Sequence, residues 1–350
     1  MSGERILTQR ELNRALLARQ GLLERCDANV PGTLLRVGGL QAQYAPSMYV
    51  GLWSRMLALR REDLTHALER RKVVQATLMR VTIHLVARGD YWPFALATRE
   101  ARRIVWLRAL RGAVSEASMV EAAQLLEDRL RTRHQLYRKE IEALIGKQRA
   151  AGVGLWVDLV RIPPSGTWER RRADLYGLAA NWLGPAGPAG LTERDAVDHL
   201  VRRYLAAFGP ASHKDVSSYT GLGQRELAPT FERLRLRRFG SESGDELLDV
   251  ARAPLPDPAT PAPVRYLPTW DATLLVHARR TGLLPERHRK KIFHVKNPHS
   301  LPTFLVDGVV AGTWRHRDGQ IELEPFEPPL DAAALRELRE EGERLAAFHA

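Results

Sequence analysis

Two glutamines separated by a single residue, Gln41 and Gln43, follow a glycine pair at Gly38-Gly39 in a strongly basic chain. Neutral amides can orient a water molecule without cancelling nearby cationic side chains, which matters where the substrate is a polyanion. They cannot match a carboxylate as general base, because neither titrates usefully near neutrality. On a regular helix two residues turn through about 200°, so the amides would face nearly opposite ways. They converge only in an extended or irregular segment. Gly38-Gly39 can open such a segment, and Pro46, which disfavours helix at Ala45, can close it. A Gln-x-Gln is common by itself, and two exposed glutamines are the plainer reading of the motif alone.

Around this pair, Thr77-Leu78-Met79-Arg80-Val81-Thr82-Ile83-His84 reads as extended chain. In a strand Arg80, Thr82 and His84 share one face, to meet phosphate or line a site, while Val81, Ile83 and Leu85 share the other. The competing reading is a half-exposed strand with one satisfied core histidine. His84 would orient a phosphate, a water or Gln41. Lys72, just before this segment, is a phosphate-contact candidate. A second cationic block comprises Arg279-Arg280, Arg287-His288-Arg289-Lys290-Lys291 and Lys296, opposed only by Glu286. Its density suits nonspecific phosphate contacts, with a solvated charge run as the alternative. Trp270-Asp271 precedes it. Asp271 would orient His277 or an arginine, and structural support is the expected role of Trp270 and Asp271.

Other chemistries lack their residues. Cys26 is the only cysteine, so neither an internal disulfide nor a thiolate cluster can form within one chain. The 11 histidines are dispersed and include no His-Glu-x-x-His. No phosphate-binding Gly-rich Lys-Ser/Thr loop is present. No cofactor or metal is therefore expected. The sequence shows no apolar stretch of signal or membrane length, and a cytoplasmic location is the default expectation. A formal charge of +12 over 350 residues, carried largely by arginines such as Arg99, Arg102, Arg103, Arg108 and Arg111, favours nucleic acid or another anionic surface.

The elements that must position these residues are mixed. Thr8 and Glu11 form a capping box before Leu12, Leu16 and Leu17. Further helices are expected over 29–35, over 49–59, which exposes Arg55, and over 62–69. The pattern then alternates from Val73. Helices followed by a hairpin are the order of a winged helix-turn-helix. That order repeats: helices over 120–130 and 139–145, a strand over 154–162, a turn at Pro163-Pro164-Ser165-Gly166, and a return over 167–172. A third copy has helices from Thr192 to Phe208, around 215–220 and over 224–234, then a hairpin over 236–250. Gly221-Leu222-Gly223 suits its tight turn. Pro254 to Pro263 marks a boundary. Beyond it, hairpins turn at Asp307-Gly308 and Asp318-Gly319, and Asp331 starts an acidic last helix. The fold class is α+β: tandem winged helix-turn-helix domains over 1–112, 113–190 and 191–258, and a C-terminal β-rich domain with a terminal helix over 259–350.

Gly39-Leu40-Gln41-Ala42-Gln43, Thr77 through Val86, Gly209-Pro210-Ala211, Leu267-Pro268-Thr269-Trp270-Asp271 and Phe304-Leu305-Val306-Asp307-Gly308 together resemble the AlkZ/YcaQ family of winged-helix DNA glycosylases. The resemblance spans almost the whole chain and rests on the order of the pieces. It implies tandem winged helices and a β-rich domain around a DNA channel. It also implies removal of alkylated bases, N7-alkylguanine among them, with crosslink unhooking by some members. The family motif is Gln-x-Gln in the AlkZ branch and Gln-x-Asp in the YcaQ branch, and Gln43 matches the former. By this resemblance Gln41 and Gln43 are the catalytic pair. Arg55, Lys72, Thr77, Arg80, Thr82, His84 and the cationic block would contact DNA or support the site. The partner would be alkylated or crosslinked duplex DNA bound by a monomer. A winged-helix regulator or resistance protein without base excision is a second reading, and a protein-interaction scaffold a third.

Overall fold

A computed structural model describes residues 5–185, 190–275, 282–293 and 300–350. The short strand β1 (Ile6–Leu7) leads into helix Gln9–Arg19, which the Thr8/Glu11 capping box opens. Helix Val30–Val37 ends at Gly38, and the chain passes directly into β2 (Leu40–Gln41). Gly39 sits at φ 86°, where an added Cβ would lie 2.9 Å from Val86 Cγ1 and 3.0 Å from the Leu85 carbonyl oxygen. Only glycine brings β2 this close to its neighbour. Helix Ala45–Trp53 follows, with Pro46 in its first turn, where a missing N–H costs nothing. The sequence expectation that Pro46 bars helix at Ala45 is thus corrected. Helix Arg61–Glu69 then precedes the hairpin β3 (Val73–Thr77) and β4 (Ile83–Ala87).

After helix Arg88–Ala109, the second unit runs as helix Glu116–Arg133, β5 (Gln135–Tyr137), helix Arg138–Ile145, β6 (Leu159–Arg161) and β7 (Leu175–Leu178). The return strand is β7, not 167–172 as expected. Residues 166–173 instead form a turn gathered on Ser165, whose hydroxyl donates to the Arg172 carbonyl and accepts from the Asp174 and Leu175 amides. The two hairpins do not stand apart. β3 pairs with β6 at Ala76↔Val160, joining both units in one six-stranded sheet of order β2-β4-β3-β6-β7-β5.

The third unit has helices Glu193–Phe208, His213–Thr220 and Gln224–Arg233, the first two opened by Thr192/Asp195 and Ser212/Asp215 boxes. Its wing is β8 (Arg237–Ser241) and β9 (Glu246–Asp249), and β1 adds in parallel to β8. The C-terminal sheet has order β10 (Arg265–Leu267), β11 (Thr303–Val306), β12 (Val309–Arg317) and β13 (Gln320–Pro325). Its turns Asp307-Gly308 and Asp318-Gly319 all have positive φ, between 44° and 77°, as tight hairpins of this kind require. Asp331 caps the last helix, Ala332–His349.

The largest core packs Tyr91 and Phe94 against Leu200, Tyr204 and Phe208. A second core buries Leu34, Tyr49 and Leu52 with Tyr266, Phe304 and Leu345, so the first unit and the C-terminal sheet share an interior. The second unit keeps its own core around Met119, Leu126, Leu130 and Ile141. Buried ion pairs bind the units: Arg19 to Asp249 at 2.7 Å, and Arg55 to Asp271 at 2.8 Å. No helix among the described residues is long and apolar enough to cross a membrane.

Candidate functional site

β2 is an edge strand, and its pairing with β4 sets Gln41 opposite His84. The next ladder bond runs from the Ala42 amide to the Ile83 carbonyl at 2.7 Å. The return bond is made by a side chain: the Ile83 amide donates to Gln43 Oε1 at 2.8 Å. Gln43 therefore folds back over the sheet at the point where its backbone leaves it. Gln41, 7% exposed, accepts from Arg80 Nη2 at 3.4 Å through its own Oε1. The Gln43 amide is thus held by β4 and the Gln41 amide by Arg80 of the turn that precedes it, and both donors fix the amide orientation. Neither Nε2 has a hydrogen-bond partner among the described residues.

The expected alternation of Arg80, Thr82 and His84 on one strand face is corrected. Met79–Val81 is a tight turn, with Arg80 at φ 53° and Val81 at φ 58°. A β-branched residue in this region is strained at a cost of about 1–3 kcal/mol. The turn is held by the Leu78 amide donating to the Thr82 carbonyl at 2.9 Å and by the Thr82 hydroxyl donating to the Met79 carbonyl at 3.0 Å. The conformation swings Arg80 towards the third unit. There Nη1 donates to the Tyr219 carbonyl at 2.8 Å, and the guanidinium lies 5.5 Å from the Tyr219 ring. The Tyr219 hydroxyl in turn donates to the Gly38 carbonyl at 3.1 Å. One tyrosine of the third unit so braces both the arginine that holds Gln41 and the glycine that precedes it.

His84 is buried, and its Nδ1 lies 3.0 Å from the Thr82 carbonyl. A carbonyl only accepts, so Nδ1 carries the proton and Nε2 is an acceptor. Burial first, and then the Arg80 charge, push its pKa down to about 3, so the ring is neutral at physiological pH. Thr77 is half-buried. Its carbonyl accepts from Arg102 Nη1 at 2.6 Å, and its hydroxyl lies 3.4 Å from Arg161 Nη2. A cavity of about 250 Å³ opens beside Gln43 and is lined by Thr77, Val81, Ile83, Arg138, Arg161 and Tyr176, among others. No carboxylate and no lysine lines it.

The remaining sequence-stated residues fall elsewhere. Arg55 was expected on an exposed helix. That helix ends at Trp53, and Arg55 is wholly buried in a bidentate pair with Asp271 at 2.9 and 2.8 Å. It cannot reach DNA, and it is the arginine that Asp271 orients. The Trp270 amide donates to Ser300 Oγ at 2.6 Å, while Asp271 also accepts from the Thr273 amide and hydroxyl. Lys72 is exposed, but at the other end of β3, four residues or about 13 Å from Ala76, the position paired with His84. It is not part of the glutamine site. Arg287 pairs with Glu327 at 2.7 Å, Arg289 with Glu286 at 3.3 Å, and Lys291 lies 4.9 Å from the Phe326 ring. Glu327 is thus a second counter-charge that the sequence order concealed. Lys290 is exposed. Arg279, Arg280, His277 and Lys296 lie outside the described residues. The arginines of the long central helix are also largely spent internally: Arg99 on Asp158, Arg103 on Glu100, and Arg102 on backbone carbonyls.

Sequence reasoning passed over exposed tyrosines paired with arginines, and Arg161, which lines the cavity beside Gln43. Tyr44, 44% exposed, receives a hydrogen bond from Arg171 at 3.2 Å, and Tyr137, 38% exposed, one from Arg170 at 3.0 Å. The run Arg170-Arg171-Arg172 was the available signal, read only as a return strand. Arg161 was signalled by a charge inside the apolar run Leu159-Val160-Arg161-Ile162.

The sequence profile of the family described as "DNA glycosylase AlkZ-like" matches residues 34–348, a span that includes both glutamines. Among solved structures, the chain is similar to Streptomyces sahachiroi DNA glycosylase AlkZ, with a TM-score of 0.81 and 18% identity over 98% of this chain and 97% of that one. At that identity the likeness is one of fold. No curated protein sequence matches.

Proposed function

Because the chain belongs to the AlkZ-like family of DNA glycosylases, we propose that it hydrolyses the N-glycosidic bond of N7-alkylated purines in duplex DNA, with Gln41 and Gln43 as its catalytic pair. The observation that carries this reading is the anchoring of both amides on the β3–β4 hairpin, Gln41 by Arg80 of its turn and Gln43 by Ile83 of β4, beside a cationic cavity that has no carboxylate.

A site without a carboxylate suits a leaving group that is already activated. N7 alkylation puts a positive charge on guanine. The C1′–N9 bond then breaks with its electron pair moving to the base, which leaves neutral. No acid is needed to protonate it. Water forms the new bond to C1′ and gives up its proton to solvent. Each amide keeps an unpartnered Nε2 and a second carbonyl lone pair with which to hold that water, and amide dipoles stabilise the oxocarbenium-like sugar. His84 is neutral and buried, so it positions rather than titrates.

No lysine lines the cavity, which favours simple hydrolysis to an abasic site over Schiff-base chemistry and strand cleavage. Gln43 is exposed rather than enclosed. An open site accommodates bulky adducts, and the reading extends to unhooking of guanines tied across the two strands. The exposed Tyr44 and the Arg171 that bonds its hydroxyl offer a stacking surface and a phosphate contact in this reading.

The test compares leaving groups. The purified protein is incubated with duplexes carrying N7-methylguanine or uracil, and free base and strand breaks are measured. Release of N7-methylguanine alone, with intact strands until alkali is added, is the expected result. Equal release of uracil would contradict the leaving-group argument. Tight binding with no release of any base would favour the regulator reading.

A further inference from the structure

Arg161 is a buried cation that the chemistry above leaves unused. It stands on β6 with 7% of its surface exposed, and its Nε has no hydrogen-bond partner. Its terminal nitrogens make long contacts, 3.5 and 3.4 Å, to Thr77 Oγ1, and its other polar neighbour is the neutral Tyr176 side chain. No carboxylate pairs with it among the described residues, and its guanidinium lies over the Tyr176 ring at 5.3 Å. Burial lowers its pKa, an effect partly offset by Tyr176. An arginine in a protein keeps its charge, and a buried charge without a counter-ion costs several kcal/mol.

Arg102 provides the contrast. It too is buried without a carboxylate, but its donors reach the carbonyls of Thr98, Thr77 and Ala95 at 3.2, 2.6 and 3.0 Å. That is a satisfied structural arginine. Arg161 instead borders the cavity beside Gln43, whose volume of about 250 Å³ holds a tetrahedral oxyanion with room for its substituents. Arg138 also lines this space but is already compensated by Glu142 at 2.8 Å.

We propose that this cavity is an oxyanion site that takes one phosphodiester of bound DNA, adjacent to the nucleotide presented to Gln43, with Arg161 and Thr77 holding its oxygens. The second winged unit thereby contributes a DNA-positioning residue to a site otherwise built by the first and third. The choice of which phosphate enters rests on the reading of Gln41 and Gln43 as the reacting centre. The existence of the oxyanion site does not.

Neutralising phosphates one at a time tests this. The full-length protein is titrated with duplexes that carry a non-cleavable N7-methylguanine nucleotide and a single methylphosphonate linkage, moved stepwise along the lesion strand. In the wild type one linkage next to the lesion should weaken binding by about tenfold, the loss of a charge-assisted contact. Arg161→Gln should bind the unmodified duplex about tenfold less tightly and lose all sensitivity at that linkage, the signature of direct coupling. Because the substitution removes an uncompensated buried charge, thermal unfolding of Arg161→Gln and Arg161→Met should occur at or above the wild-type temperature. A structural arginine would lower it. Should Arg161→Gln fail to fold, Arg161→Lys, which keeps a charge but not the planar fork, takes its place and should weaken the sensitivity at that linkage. Unaltered sensitivity at every linkage in the variants would overturn the proposal. Inorganic phosphate that raises the wild-type unfolding temperature, but not that of Arg161→Gln, without any linkage effect would limit the cavity to small anions and likewise overturn it. Coupling without base release by the wild type would leave this site standing and remove the glycosylase reading. Base release without coupling would do the reverse.

Discussion

Gln43 lends its carbonyl to the Ile83 amide of the sheet and Gln41 lends its own to the Arg80 guanidinium, so each side chain presents an amide nitrogen whose orientation its donor fixes. The site has nothing that titrates near neutrality: His84 is held down to about 3 by burial, and Arg102 remains charged up to about 10. A depressed histidine pKa keeps the ring neutral at every pH above that value. Base release from an N7-methylguanine duplex should therefore be flat in kcat/KM between about pH 5 and 9, the range free of such pKa values. An activity limb centred near pH 6–7 would show that a group outside this account carries the proton. The glutamine spacing was legible in the sequence because Gly38-Gly39 announced a break. Arg55 and Arg80 were not, because charge alone does not say which arginines fold inward. Asp271 is more than 200 residues from Arg55, and the positive φ of Arg80 and Val81 breaks an alternation that looks like a strand.

The elements were legible where their signals are local. Capping signals opened helices at Thr8 and Thr192, and Asp-Gly pairs turned the C-terminal hairpins. Long-range pairing was not. One Ala76↔Val160 pairing merges two hairpins into a single sheet, and a two-residue strand at the N-terminus joins the third wing. The links between elements give two predictions. Asp271→Ala leaves Arg55 buried and unpaired, so it should destabilise the protein by about 3–5 kcal/mol in urea unfolding. Arg55→Met combined with Asp271→Leu should recover much of that loss, whereas a double variant as unstable as Asp271→Ala would refute the pairing as its cause. The last helix is seated through His349, whose ring stacks on His316 at 4.4 Å and meets Trp168 edge-on at 5.2 Å. Burial, and then the charges of His316, Arg171 and Arg61, lower its pKa to about 4. The unfolded chain then binds the proton more readily than the folded one. Stability should be fully present above pH 6.5 and fall as pH drops towards 4. His349→Phe should flatten that slope relative to the wild type. An unchanged slope would remove His349 as its source.

At the scale of the molecule, a formal charge of +12 survives extensive internal pairing of arginines. The first and third units and the C-terminal sheet share cores and buried ion pairs, and the Ala76↔Val160 pairing ties the second unit to the first through one sheet. Duplex affinity should fall steeply with salt, by about a thousandfold between 50 and 200 mM if some six phosphates are neutralised. Salt-insensitive binding would favour a protein-interaction scaffold instead. The central claim is that two neutral amides perform the hydrolysis. Single-turnover release of free base from an N7-methylguanine duplex tests it most directly, with the wild type, Gln41→Ala and Gln43→Ala each saturating the DNA. The account predicts that both variants bind the duplex and melt near the wild-type temperature, yet release base about 100-fold more slowly. Release at the wild-type rate by either folded variant would contradict it.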